Sequence, residues 1–167
     1  DPETLDIAIH ASLTGHLVLS TLHTNNAIAT ISRLVDMGAE PYMLASSLRL
    51  IVAQRLLRLN CTSCLTDRLS DTNRAAAAKL GLALSAKAQE SIGCRECHQT
   101  GFAGRTAIYE LLVVDERLKE GILRRMPEAE MLSQVQDGGF TTLLDAAQEL
   151  VNAGRTTPLE VLREINV

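Results

Sequence analysis

The sequence predicts an α/β fold that carries a metal-binding insertion and ends in a group of short helices. Three features point that way. A helical pattern over residues 2–14 leads through Gly15 into the short apolar run His16-Leu17-Val18-Leu19-Ser20-Thr21-Leu22. Four cysteines, the full complement of the chain, sit in two Cys-x-x-Cys knuckles, Cys61-Thr62-Ser63-Cys64 and Cys94-Arg95-Glu96-Cys97, separated by 29 residues. After Asp115 the apolar positions recur at helical spacing in brief segments broken by Pro127, Gly138-Gly139 and Gly154.

The elements follow in order. Asp1 is an N-cap with Pro2 in the first turn, and Leu5, Ile9, Ser12 and Leu13 share one face of the first helix. An apolar run after a helix and a glycine is the pattern of a buried parallel strand, expected over 16–22. His23-Thr24-Asn25-Asn26 is then a polar loop, and Ile28, Ile31, Leu34 and Val35 mark a helix ending at Gly38. Pro41 opens another, with Leu44, Leu48, Ile51, Val52 and Leu56 expected inward. Residues 1–58 are thus expected to be the later part of an α/β domain whose first strands lie upstream. Residues 59–103 form the metal module, with a short helix within the Ala/Leu-rich stretch from Arg74 to Leu84. Residues 104–167 contribute a strand over 106–114 and then helices, expected to pack as a small bundle because each is short. Leu118, Ile122, Leu123 and Met126 mark the first of these, Ala129, Leu132 and Val135 the second, and Leu143, Leu144, Ala147, Leu150 and Val151 the third. Thr157-Pro158-Leu159-Glu160 reads as a capping box that opens the fourth.

The composition narrows the function. Apolar content is 46% with only 2% aromatic residues, so the core is expected to be aliphatic. The formal charge is −4, and the knuckle region 59–103 holds five Lys/Arg against four Asp/Glu. Nucleic-acid ribbons rely on basic and aromatic surface, so that role is disfavoured. No apolar run approaches the roughly 18 residues of a membrane span, and the chain reads as soluble and cytosolic. The chain has no initiator Met and no G-x-x-x-x-G-K-[ST] loop, and it reads as a piece of something longer.

Two Cys-x-x-Cys knuckles supply the four tetrahedral thiolates that zinc prefers, a closed and structural kind of site. Disulfides belong to smaller, more cysteine-rich chains that carry a secretory signal, and a redox Cys-x-x-Cys would explain one pair rather than two. An iron–sulfur cluster also accepts four thiolates. His98 follows the second knuckle directly but is surplus to a filled shell. With 45 residues and few aromatics, the module buries little apolar surface by itself, and a metal would supply the missing folding energy.

The run Thr14-Gly15-His16-Leu17-Val18-Leu19-Ser20-Thr21-Leu22-His23-Thr24-Asn25 closely resembles the His-box of the secretion ATPase superfamily, the GspE/PilB-type hexameric ATPases of type II secretion and type IV pilus assembly. Asp1-Pro2-Glu3-Thr4 resembles the tail of the family's Walker B segment, just past its acidic residue. Ser32-Arg33-Leu34-Val35-Asp36-Met37-Gly38, Ala53-Gln54-Arg55-Leu56 and Gly104-Arg105-Thr106-Ala107-Ile108-Tyr109-Glu110-Leu111-Leu112 match later stretches in the same order. The double knuckle matches the family's tetracysteine module. Retraction ATPases generally lack that module, so the resemblance points to the assembly or secretion branch.

The resemblance implies the C-terminal part of a RecA-like P-loop ATPase domain. It implies ATP and Mg²⁺ as ligands of the intact protein, a homohexamer, and coupling to an inner-membrane platform and a membrane-anchored partner at the cytoplasmic face. By motif position His16 and His23 are the candidate catalytic residues, with Thr21, Thr24 and Asn25 supporting the nucleotide; Cys61, Cys64, Cys94 and Cys97 hold zinc. Without the family, His16 reads as a structural histidine at the start of a strand, and Thr24 and Asn25 as ordinary turn residues. His23 lies just after the expected strand, where α/β domains place ligand contacts. Arg55 reads either as a contact to a neighbouring subunit or as a surface arginine, and His10 has no role. These 167 residues alone are expected to be inactive. The alternative is a stand-alone zinc-ribbon interaction module without a motor.

Overall fold

The computed structural model of the chain describes residues 1–165. Its elements are helices α1 (Pro2–Leu13), α2 (Ala27–Asp36) and α3 (Pro41–Ser47); strand β1 (Leu50–Asn60); a 3₁₀ turn (Thr62–Cys64); β2 (Leu65–Thr66), α4 (Asp71–Leu80), β3 (Glu90–Ser91) and β4 (Phe102–Val113); and helices α5 (Glu116–Leu123), α6 (Glu128–Gln136), α7 (Leu143–Asn152) and α8 (Pro158–Glu164). β1 pairs with β4 and β2 with β3, in two separate two-stranded sheets. No helix among the described residues is long and apolar enough to cross a membrane.

The chain divides into two compact units. The first comprises Asp1–Ala53 and Glu110–Thr141, and the second Gln54–Tyr109 with the described residues from Thr142 onward. The dividing points of these units fall inside both long strands, so each unit draws on two separate stretches of the chain. α5 and α6 pack with α3 and α2 in the first unit, whereas α7 packs with α8, and α8 with α4, in the second.

In the first unit Ile28, Ile31 and Leu34 of α2, Leu44 of α3, Ile51 of β1, Leu112 of β4, Leu118 and Ile122 of α5 and Met131 of α6 are buried. This core is aliphatic, as the composition requires. Asp1 caps α1 by accepting the N–H of Thr4, and Asp115 caps α5 by accepting that of Leu118 at 2.9 Å. Two expectations fail here. The segment from Leu48 to Leu56 was expected to continue the third helix, but α3 ends at Ser47 and β1 begins at Leu50. Ile51, Ala53 and Leu57 alternate inward, while Leu50, Val52 and Leu56 are exposed. The apolar run 16–22 is not a buried strand: Leu17 is 89% and Leu19 87% exposed. A strand is stable only when neighbours take up its backbone hydrogen bonds, and no strand among the described residues does so here.

In the second unit Leu57, Ala76, Ala77, Leu80, Ile108, Leu143, Ala147, Val151 and Val161 form the core. α4 starts at the N-cap Ser70 and stops at Gly81, which adopts the left-handed conformation. The capping box lies at α7, where Thr142 and Asp145 satisfy each other's backbone N–H groups. Thr157 does cap α8, accepting the Glu160 N–H at 3.2 Å, but the Glu160 side chain does not reach back to it. That carboxylate instead meets Arg58 on β1, which lies over the Phe102 ring at 4.2 Å. The turn before α8 is tied to the same strand: Asn60 N–H donates to Arg155 O at 2.8 Å, and Thr156 Oγ1 donates to Arg58 O at 2.7 Å.

Candidate functional site

The second unit holds a tetracysteine cluster assembled by its backbone from both knuckles. β1 ends at Asn60, and the Cys61 N–H donates to Gly101 O at 2.9 Å, setting the first knuckle beside the second. The 3₁₀ turn lifts Cys64 back over Cys61, and β2 then pairs antiparallel with β3, Leu65 opposite Ser91 and Thr66 opposite Glu90. Ile92 N–H donates to Cys64 O at 3.2 Å, and Ser91 Oγ donates to Cys61 O at 2.7 Å. Glycine is required at two positions. A Cβ on Gly93 would lie 2.8 Å from Gln99 O, and one on Gly101 would lie 2.6 Å from Ser91 O; both residues have φ near +90° or below, in the left-handed half of the map.

The four Sγ atoms lie within 4.8 Å of one another, and all four thiols are free. Cys61 Sγ is 3.9 Å from Cys94 Sγ, Cys64 Sγ 3.9 Å from Cys97 Sγ, and Cys94 Sγ 3.7 Å from Cys97 Sγ. A tetrahedron with metal–sulfur bonds of about 2.3 Å has edges of about 3.8 Å, so the donor set fits zinc. These separations are far beyond a disulfide bond of about 2.05 Å. Cys61 and Cys97 are buried and the other two half-buried. His98 is exposed, in a left-handed turn with Gln99, and is not part of the cluster.

The electrostatics suit thiolate ligation. Burial pushes the Cys97 thiol up, but the N–H groups of Cys94 (3.2 Å) and Gly101 (3.3 Å) aim at its sulfur and hold it down at about 6. Cys64 lacks that balance. Burial, reinforced by the neighbouring thiols and only partly opposed by the Gly93 N–H, pushes it up to about 11. A cation held by all four thiols would supply the charge that favours their thiolate forms.

The His-box residues lie in the first unit, on the segment between α1 and α2. His16 is exposed and held by the end of α1, its Nδ1 3.2 Å from Ala11 O and 3.1 Å from Thr14 Oγ1. Thr21, His23 and Asn25 are exposed. Thr24 turns toward α2, its Oγ1 2.8 Å from Thr30 Oγ1. His16 and His23 therefore occupy the two ends of the segment, one anchored to α1 and the other at the mouth of α2. Arg55 is half-buried, its guanidinium donating to Gln54 O at 2.9 Å.

Sequence reasoning missed two residues that fix this loop, one at its end and one on β4. Asn26 is the N-cap of α2, its Oδ1 accepting the Ala29 N–H at 2.7 Å; an asparagine directly before an apolar-periodic segment is a readable signal. Glu110 is buried and its Oε2 accepts the Ala27 N–H at 2.7 Å; its inward position was legible only from the alternation of Ile108, Glu110 and Leu112 along β4.

The chain belongs to the Type II/IV secretion system protein family, whose model matches residues 1–165. It is 45% identical over 163 residues to the type II secretion system protein E of Pseudomonas aeruginosa, a match covering 98% of this chain and 32% of that protein. It is 39% identical over 166 residues to the type IV pilus assembly ATPase PilB of Myxococcus xanthus, covering 97% of this chain and 29% of that protein. Among solved structures it resembles the pilus retraction motor PilT with bound ADP, with a TM-score of 0.64 and 25% identity over 98% of this chain and 36% of that one. The chain thus spans about a third of the length of the relatives it matches. Its α/β fold is similar to that of the pilus retraction motor PilT, and the Myxococcus xanthus relative is named as an ATPase.

Proposed function

We propose that this chain is the C-terminal portion of a hexameric ATPase that powers type II protein secretion or type IV pilus assembly, coupling ATP hydrolysis to an inner-membrane platform. The observation that carries the reading is the family match from end to end, at 45% identity to a type II secretion protein E. Type II secretion is favoured slightly, since identities to type II secretion proteins run from 39% to 45%, against 39% to the pilus assembly ATPase.

In the intact protein the P-loop and the acidic residue come from the remaining two-thirds of the length, and this chain supplies one wall of the nucleotide site. Phosphoryl transfer depends on positioning and charge stabilisation rather than covalent chemistry. His23, exposed at the mouth of α2, hydrogen-bonds the γ-phosphate and registers its loss. His16 orients the other end of the segment through α1. Thr21 and Asn25 line the wall, and Thr24 fixes the loop to α2 through Thr30. The exposed apolar run 17–22 joins a sheet completed by strands of the intact protein. Zinc held by Cys61, Cys64, Cys94 and Cys97 supplies a structural cross-link, since four thiolates leave no open position. The motor acts from the cytoplasmic face, with the platform and a membrane-anchored protein as partners, and takes no nucleic acid.

The test is steady-state ATP hydrolysis by the intact protein, by His23→Ala in it, and by the 167-residue chain. Turnover in the first, a large loss of kcat in the second and none in the third are expected. Turnover by the 167 residues at the intact rate, or an unaltered His23→Ala variant, would sink the reading.

A further inference from the structure

Glu110 is only 4% exposed, on the inward face of β4 between Ile108 and Leu112. An aliphatic side chain is the default at such a position, and a buried carboxylate is costly unless specific donors answer it. Here a donor does. The Ala27 N–H, 2.7 Å from Glu110 Oε2, is the first amide of α2, and Ala27 itself is fully buried. Two residues on, the Ala29 N–H is taken by Asn26 Oδ1 at 2.7 Å. A carboxylate at a helix N-terminus is favoured by the helix dipole, and a charge-assisted hydrogen bond is short and directional. The residues immediately before Ala27 are His23, Thr24, Asn25 and Asn26.

The geometry points to Glu110 as a positioning residue for the His23 loop: by holding the first amide of α2 against β4, it fixes where the loop leaves the helix and hence where His23 stands. This rests on the proposed role of His23 at the nucleotide. It touches no substrate itself.

The test compares Glu110→Ala and Glu110→Gln in the intact protein with Met131→Ala, a core variant of the same unit outside the loop. Three readouts are followed: amide exchange in peptides covering residues 20–30, the dissociation constant for nucleotide, and kcat. Glu110→Ala is expected to speed exchange at 24–29 about tenfold and to lower kcat about tenfold, with nucleotide affinity within about twofold of wild type. Glu110→Gln, whose amide oxygen still accepts from Ala27, is expected to recover most of both losses. Met131→Ala is expected to lower the melting temperature without the kcat loss. The proposal is overturned if Glu110→Ala leaves exchange over 24–29 unchanged, if Gln is no better than Ala, or if Met131→Ala reproduces the kcat loss. Should Glu110→Ala fail to fold, Glu110→Asp, one methylene short of Ala27, gives the same comparison. If wild type shows no ATP turnover or His23→Ala matches it, the functional reading falls, and the exchange readout alone decides whether Glu110 positions the loop.

Discussion

Glu160 on α8 and Arg58 on β1 are 102 residues apart in sequence, yet the carboxylate takes three hydrogen bonds from that one arginine. Arg58 N–H and Nε donate to Oε1 at 3.1 and 2.8 Å, and a guanidinium nitrogen donates to Oε2. Glu160 is 1% exposed and Arg58 35% exposed on its side chain.

Burial pushes the Glu160 carboxyl up, but the Arg58 hydrogen bonds outweigh it and hold it below the usual carboxylate range. A carboxylate depressed in the folded state contributes stability above its unfolded pKa, and that contribution fades as pH falls through the folded value. Glu160→Gln is expected to cost about 2 kcal/mol at pH 7, less than a fully buried pair because Arg58 reaches solvent. The difference from wild type is expected to shrink below about pH 4. Urea melts at pH 7 and about pH 3 check this; a gap that stays constant contradicts it.

One zinc per chain is expected from elemental analysis of protein purified without chelator, with four thiols protected from a thiol reagent. Removing the metal, or changing Cys61 and Cys64 to Ser, is expected to loosen the module between β1 and β4 and lower the melting temperature by about 10 °C or more. Limited trypsin digestion would then cut at Arg68, Arg74, Lys79, Lys87 and Arg95 while α1–α3 stay intact. A cleavage pattern indifferent to chelator would rule out a structural metal.

Gly101→Ala is expected to cost about 2–4 kcal/mol and to speed loss of the metal, because its new Cβ would lie 2.6 Å from Ser91 O in a left-handed backbone. Gly15→Ala also has a positive φ but meets nothing within 4 Å, so about 1 kcal/mol is expected. Denaturant midpoints and chelator stripping rates of the two variants compare clash with strain alone.

Asn26→Ala is expected to destabilise the first unit by about 1 kcal/mol, the worth of an N-cap. Asn26→Asp, which keeps the acceptor, should be nearly neutral. Equal losses in both variants would show that the cap is not what holds the start of α2.

The metal ligands were legible because their spacing is local: two short knuckles specify the chemistry whatever the rest of the chain does. Helix starts at Asp1 and Asp115 were legible for the same reason. β1 was not. Its run Leu50-Ile-Val-Ala-Gln-Arg-Leu-Leu satisfies both a helical and an alternating pattern, and pairing with β4, far along the chain, decides between them. The run 16–22 misled in the opposite sense, since apolar content marks a strand only when partners for its backbone are present. Glu160 looked like half of a capping box because its nearest sequence neighbours fit, while its actual partner lies 102 residues earlier in the chain. The geometry at the histidines was legible only as a motif; the anchors that fix the loop, Asn26 and Glu110, follow from contacts that periodicity does not encode.

The unit boundaries inside β1 and β4 mean that no single continuous stretch of gene encodes either unit. A premature stop codon after β4 removes α7 and α8 from the unit that holds the cysteines, although all four codons for the metal ligands have already been read. Transplanting the tetracysteine centre into another scaffold would likewise mean moving two separate segments, with Arg58 and Glu160 travelling as a pair.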